Sequence, residues 1–339
     1  MRLMNDILEN RLLGRWGELL PRSPLQRGAL HETDAELIDI GGGRLLALTV
    51  DAVVEEVRVG LYKTPRTVGR IAAVSSLSDL AAVGAEPLGV LVCATLPNED
   101  QDVVQAGVAG GLREVLDAEG LFVLGGDTNE GEHLALAVTA AGLVPEEAVV
   151  TRVGARPGDQ VFVSGLLGAG GAYAAAVLLG IGNMDEAAFR PTMRLREGMA
   201  LRGIASSCMD TSDGFVATID QVARINEVGI RITAAPAGLL HPTAAAARAV
   251  AGLPAFPFLA SYHGEFELVF SVPPEKVSLL ADRANAMGWK PIPVGIVEPE
   301  PGVRFGNTEI DSAKVRNAFA LSAGNLDAYM RSLVESGVG

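Results

Sequence analysis

The sequence is short of cysteine, of basic charge and of long apolar runs, and each shortage excludes a class of protein. Its two cysteines, Cys93 and Cys208, are too few for a disulfide framework or a four-thiolate zinc site. Lys and Arg number 27 against 41 Asp and Glu, a net charge of −14. That argues against nucleic acid as a partner, because a basic face is needed to displace counterions from phosphate. Hydrophobic residues make up 49% of the chain, enough for substantial cores, yet no run reaches the roughly 20 apolar residues of a membrane-spanning helix. No membrane partner is expected. Met1 to Asn10 carries Asp6 and Glu9, unlike a secretory leader. His31, His133, His241 and His263 are the four histidines, and no Gly-x-Ser-x-Gly elbow accompanies them, so nucleophilic hydrolysis has little support. No glycine cluster runs into Gly-Lys-Ser/Thr, so there is no Walker A loop. The expectation is an acidic, cytoplasmic α/β protein. Its 339 residues suggest about two domains at roughly 150 residues each.

What is present is an alternation of helical and strand patterns. Asn5–Leu20 has apolar residues at helical spacing, and Pro65–Gly84 reads as a long helix opened by proline and closed by glycine. Asp100–Glu119, Arg194–Ser206, Phe215–Val228 and Pro274–Met287 read as further helices. Strands are expected at Arg44–Val50, Leu88–Leu96, Leu121–Leu124, Leu134–Val144, Gln160–Ser164, Ile230–Thr233, Phe266–Val272 and Ile292–Val297. Cys93, inside an apolar strand, reads as core. The short connections favour antiparallel pairs, hence two mixed α/β domains, 1–148 and 149–339, rather than one doubly wound sheet.

The aspartates carry the chemistry. Asp34 opens a strand, Asp51 closes one, and Asp127 follows Gly125-Gly126 at the end of another. Asp210 and Asp213 bracket Thr211-Ser212, and Asp79 lies in the apolar helix Leu77-Ser78-Asp79-Leu80-Ala81-Ala82. Strand ends gather at one edge of an α/β sheet, where ligands bind. A carboxylate among apolar residues is costly unless it is paired or binds metal. Basic residues are scarce nearby, which favours Mg²⁺, an ion that takes oxygen ligands and bridges carboxylates to phosphates. Aspartate beside glycine is also an ordinary turn residue, but that does not explain Asp79.

Read in order, these blocks resemble the thiamine-monophosphate kinase family within the aminoimidazole ribonucleotide (AIR) synthetase superfamily. The blocks are Thr33-Asp34-Ala35, Thr49-Val50-Asp51, Leu77-Ser78-Asp79-Leu80-Ala81-Ala82, Gly125-Gly126-Asp127-Thr128, Arg152 to Asp159, Met209-Asp210-Thr211-Ser212-Asp213-Gly214 and Glu267-Leu268. The resemblance implies two mixed α/β domains of the AIR synthase type, with the N-terminal sheet joining a homodimer, and ATP held by Mg²⁺ between the domains. By matching position it implies Asp34, Thr49, Asp51, Asp79, Asp127, Asp210 and Asp213 as metal ligands. It implies Gly126, Asp127, Arg152 and Ser212 at the nucleotide, and Asp127 and Asp213 as catalytic. Arg58, His263 and Glu265 fall at the motifs for the acceptor, a small phosphorylated metabolite.

Departures from the family gather on the acceptor side. Val-Glu-Gly-Val-His becomes Val54-Glu55-Glu56-Val57-Arg58, and the later acidic block becomes Tyr262-His263-Gly264-Glu265-Phe266-Glu267-Leu268. Arg58 beside a thiazolium would repel it, so weak phosphorylation of thiamine monophosphate is expected, with another small anionic acceptor as the alternative. A non-catalytic nucleotide-binding dimer is the further alternative. The family's first Gly-Asp-Asp motif is Glu32-Thr33-Asp34 here, one carboxylate fewer. The hydrogenase-maturation sister family ends in cysteine, whereas this sequence ends Gly337-Val338-Gly339.

Overall fold

A computed structural model describes residues 2–182 and 184–337. Met1, Asn183, Val338 and Gly339, which include the ends of the two expected domains, lie outside the described residues. The chain opens with α1 (Arg2–Asn5) and α2 (Leu8–Leu19), so the expected first helix is broken at Asp6-Ile7. Ile7 adopts extended backbone as the cap of α2 and buries its side chain. Next come β1 (Gln26–Arg27), β2 (Glu36–Asp39), β3 (Arg44–Val53), α3 (Glu55–Arg58), α4 (Pro65–Ala82), β4 (Glu86–Pro97), α5 (Gln101–Glu119), β5 (Val123–Gly131) and β6 (Ala135–Pro145). The strands form a sheet in the order β1-β2-β3-β6-β4-β5, antiparallel except for the β4–β5 pair.

The side chain of Thr64 accepts from Thr67 N to cap α4, with Pro65 in its first turn. α4 crosses α5 closely, and two glycines make that possible. A Cβ on Gly69 would lie 2.1 Å from Val108 O, and one on Gly111 would lie 1.9 Å from Arg66 O.

After residues 146–159 come β7 (Gln160–Val163), α6 (Ala169–Leu179), α7 (Leu195–Ala200), β8 (Ser207–Asp210), α8 (Phe215–Ile225), β9 (Gly229–Ile232), α9 (Pro242–Ala251) and α10 (Phe256–Leu259). They are followed by β10 (Leu268–Val272), α11 (Val277–Met287), β11 (Ile292–Glu298), β12 (Gly302–Phe305), β13 (Thr308–Ile310), α12 (Ser312–Leu321) and α13 (Leu326–Ser336). The second sheet runs β13-β12-β9-β11-β7-β10-β8, mostly antiparallel. The helix expected at Arg194–Ser206 stops at Ala200 and continues as turns.

The two sheets do not own separate cores. One continuous apolar cluster joins Leu45, Ala47 and Val90 of the first sheet through α4 to Cys208, Leu268 and Phe270 of the second. A second cluster covers the other face of the second sheet. α4 is therefore almost wholly buried, and its C-terminal turn is where the sheets meet. Among the described residues, no helix is long and apolar enough to cross a membrane.

Candidate active site

Three aspartates converge at that junction. Asp34 precedes β2, Asp79 lies in the last turn of α4, and Asp210 ends β8. One carboxylate oxygen from each lies within 4.8 Å of the others. Ser78 Oγ donates to Asp210 Oδ2 at 2.6 Å, and Thr49 Oγ1 donates to Asp79 Oδ2. Arg152 donates twice to Asp34 Oδ1, from Nε at 3.2 Å and from Nη2 at 2.6 Å. Two buried oxygens nearby, Asp34 Oδ2 and Asp51 Oδ2, have no partner.

The electrostatics follow from burial of like charges. Desolvation raises Asp34 to about 6, although Arg152 opposes it, and Asp210 adds to the rise. Desolvation, then Asp210, raises Asp51 to about 6. Asp79 is raised well above the ordinary carboxylate range by desolvation and by Asp51, Asp210 and Asp34. Burial alone would lower Arg152, but Asp34 beside it keeps the guanidinium charged. Unpartnered hard oxygens in a dry cluster of like charge are suited to a divalent cation.

The turn after β8 completes one wall. Asp210 Oδ1 accepts from Ser212 Oγ at 2.8 Å and from Ser212 N at 3.3 Å. The loop carrying His263 lies against this turn only because residue 264 is glycine, whose Cβ would fall 1.5 Å from Thr211 O. Asp213 is raised to about 8, by desolvation first and Glu9 second.

Asp34, Asp51, Asp79, Arg152, Ser212 and Asp213 border one cavity of about 350 Å³. Its other end is aromatic. Tyr62 Oη and His263 Nε2 are 2.9 Å apart, and burial lowers His263 to about 4, so the ring is neutral. Tyr262 stacks on Phe319 with centroids 5.1 Å apart, and Tyr329 meets Phe319 edge-on. Arg152 is the one Lys or Arg on the cavity wall among the described residues.

Several expected site residues lie elsewhere. Arg58 points outward, with a side chain 74% exposed and paired with Glu55 at 3.2 Å. Glu265 is buried behind the wall, where its carboxylate accepts from Gly168 N at 2.7 Å, and desolvation raises it to about 8. Asp127 does not end a strand: β5 runs on through it as an exposed edge. The register pairs Gly126 with Val92 and Asp127 with Cys93. Val92 pairs in turn with Val138, and Val138 with Asp51. Gly126 thus shares the face of Asp51 but stands three strands away, about 14 Å at roughly 4.8 Å per strand. Asp127 falls on the opposite, exposed face together with Cys93, which is not a core residue. Sequence reasoning did not reach Glu9, Glu56, Tyr62, Tyr262, Phe319 or Tyr329 as wall residues. For the last two the signal was available, since Asp311 and Asn325 cap their helices.

Comparisons with known proteins agree with this architecture. Residues 32–144 match the family "AIR synthase related protein, N-terminal domain". The thiamine-monophosphate kinase of Haemophilus influenzae is 30% identical over 251 residues, 71% of this chain and 74% of that protein. The thiamine-monophosphate kinase of Halobacterium salinarum is 34% identical over 261 residues, 76% of this chain and 86% of that protein. A solved ThiL structure complexed with AMPPCP and TMP superposes with a TM-score of 0.76, covering 92% of this chain and 97% of that one at 24% identity, and so shares the fold. By these sequence matches, the chain belongs to the thiamine-monophosphate kinase family.

Proposed function

We propose that the chain transfers the γ-phosphoryl group of ATP to the phosphate of thiamine monophosphate, giving ADP and thiamine diphosphate. The observation that carries this reading is the joining, in one cavity, of the Asp34, Asp51 and Asp79 carboxylates with an aromatic chamber, with Asp210 buried against Asp34 and Asp79 behind the wall. Asp34, Asp51, Asp79 and Asp210, with Thr49 beside them, fit Mg²⁺, because two of their buried oxygens lack partners. When bound, Mg²⁺ supplies the positive charge that holds two anions together and offsets charge on the transferred group. Arg152 stays charged on Asp34 and borders the phosphate space, and Ser212 orients Asp210 from the same wall. Asp213 borders the space between donor and acceptor and is the proposed catalytic carboxylate.

The repulsion expected between Arg58 and a thiazolium has no basis, since the guanidinium lies outside the cavity on Glu55. A homodimer through the first sheet is part of the proposal. Val50 and Leu91 share its exposed face with Asp127. Asp127, on that face, then serves the nucleotide from the dimer side, whereas Gly126 stays on the face of Asp51. The test is product formation by the purified chain with Mg²⁺, ATP and thiamine monophosphate. Thiamine diphosphate and ADP in equal amounts, abolished by a chelator, are expected. ADP without thiamine diphosphate would overturn the assignment of the acceptor.

A further inference from the structure

Among the described wall carboxylates outside the aspartate cluster, Glu56 and Asp213 have no Lys or Arg within ion-pair distance, and Asp213 is the proposed catalytic group. Glu9 lies 3.6 Å from Arg316, and Glu55 lies 3.2 Å from Arg58. Glu56 Oε2 is buried with no partner, and burial raises its carboxyl above the ordinary range. Its place is held by the backbone, not by the side chain: Glu56 O accepts from Leu61 N at 2.8 Å and from Tyr62 N at 3.4 Å. That leaves Oε2 without a partner on the cavity wall beside Tyr62, while the backbone of Val54 and Glu56 steadies the carboxylate, and the Tyr262–Phe319 stack borders the same cavity.

A buried anion without a partner is costly unless a ligand supplies the charge. The surrounding groups define that ligand. Aromatic faces attract a cation and stack on a flat ring, and His263 is neutral and does not repel one. Arg152, the only Lys or Arg on the wall among the described residues, is committed to Asp34 at the metal end. The complement is a flat heteroaromatic ring bearing a fixed positive charge, with its phosphate directed toward the aspartates.

We propose that Glu56 is a specificity-determining residue that pairs with the cationic ring of the acceptor. The inference rests on the kinase reading above, in which the thiazolium of thiamine monophosphate is that ring.

The test uses the full chain with Mg²⁺ and ATP, and compares thiamine monophosphate with its neutral thiophene isostere. Glu56→Gln keeps the shape and removes the charge. The variant is expected to raise KM for thiamine monophosphate about tenfold while kcat and the KM for ATP stay within about twofold, the size of one charge-assisted contact. The wild type is expected to prefer the cationic acceptor over the neutral one, and the variant to lose that preference. A preference unchanged in Glu56→Gln overturns the proposal. So does a variant whose defect lies in Mg²⁺ dependence instead, since Glu56 would then be a metal ligand. If the wild type makes no thiamine diphosphate, the kinase reading fails separately, and calorimetry with thiamine decides about Glu56. Binding that Glu56→Gln weakens about tenfold upholds it, and binding that is absent or unaffected rejects it.

Discussion

Ser78 Oγ donates to Asp210 Oδ2 at 2.6 Å, from α4 of the first sheet's layer to the end of β8 in the second, and both residues are buried. The bond joins residues 132 positions apart and fixes one corner of the aspartate cluster. Ser78→Ala leaves that oxygen without its donor in a dry setting, a loss of about 1–3 kcal/mol. Chemical denaturation of the metal-free protein is expected to show this loss. A change under about 0.5 kcal/mol would mean that water or relaxation replaces the hydroxyl.

Asp79 sits where burial and three neighbouring carboxylates all oppose its charge. Asp79→Asn keeps an acceptor for Thr49 and removes one of the repelling charges. The metal-free variant is therefore expected to melt at a higher temperature than the wild type, by a few degrees. Its ATP turnover is expected to fall by about 100-fold or more if the carboxylate ligates Mg²⁺. The stabilisation that Mg²⁺ gives the wild type should disappear as well. Melting curves with and without Mg²⁺ read both effects, and an undiminished Mg²⁺ shift in the variant would remove Asp79 from the metal site.

How much of this was legible beforehand depends on which physical rule set each residue's place. Asp79 was readable because a charge inside an apolar helix has few explanations. Asp34 and Asp210 were readable because strand ends collect at one edge, whereas Asp51, expected to close its strand, lies inside β3 and reaches the cluster from the strand's inner face. Asp127 was not readable, because the face of a strand residue is decided by register, and a shift of one residue reverses it. Arg58 and Glu56 share one short turn of helix, and only the packing of Leu61 and Tyr62 under it decides which faces the cavity. The aromatic wall from α12 and α13 lay beyond Val297, where the readable strand pattern ended, although the caps of both helices were in plain view.

The exposed face of the first sheet is apolar where solvent should favour polar residues. Val50 is 64% exposed and Leu91 43%, and both pair with Thr139 of β6, so they flank that residue on one face. Sedimentation is expected to give a dimer at micromolar concentration. Leu91→Asp places a charge in that face and should yield a folded monomer with its circular dichroism retained. A wild type that sediments as a monomer would contradict the dimer through this sheet.

The pH dependence of the aspartate cluster has a definite sign. Asp34 and Asp51 stand at about 6 in the metal-free fold against an ordinary 3.8. Between those values the folded state holds more protons than the unfolded chain. Metal-free stability must therefore fall as pH rises from about 4 to about 6, with the cost of the ionised cluster fully present above that window. Mg²⁺ competes with the same protons, because its ligands must be deprotonated. Adding Mg²⁺ is then expected to raise the melting temperature little at pH 5 and by several degrees at pH 8. The apparent affinity for Mg²⁺ should weaken as pH falls through about 6. Equal Mg²⁺ shifts at the two pH values would show that the ion binds groups other than these buried carboxylates.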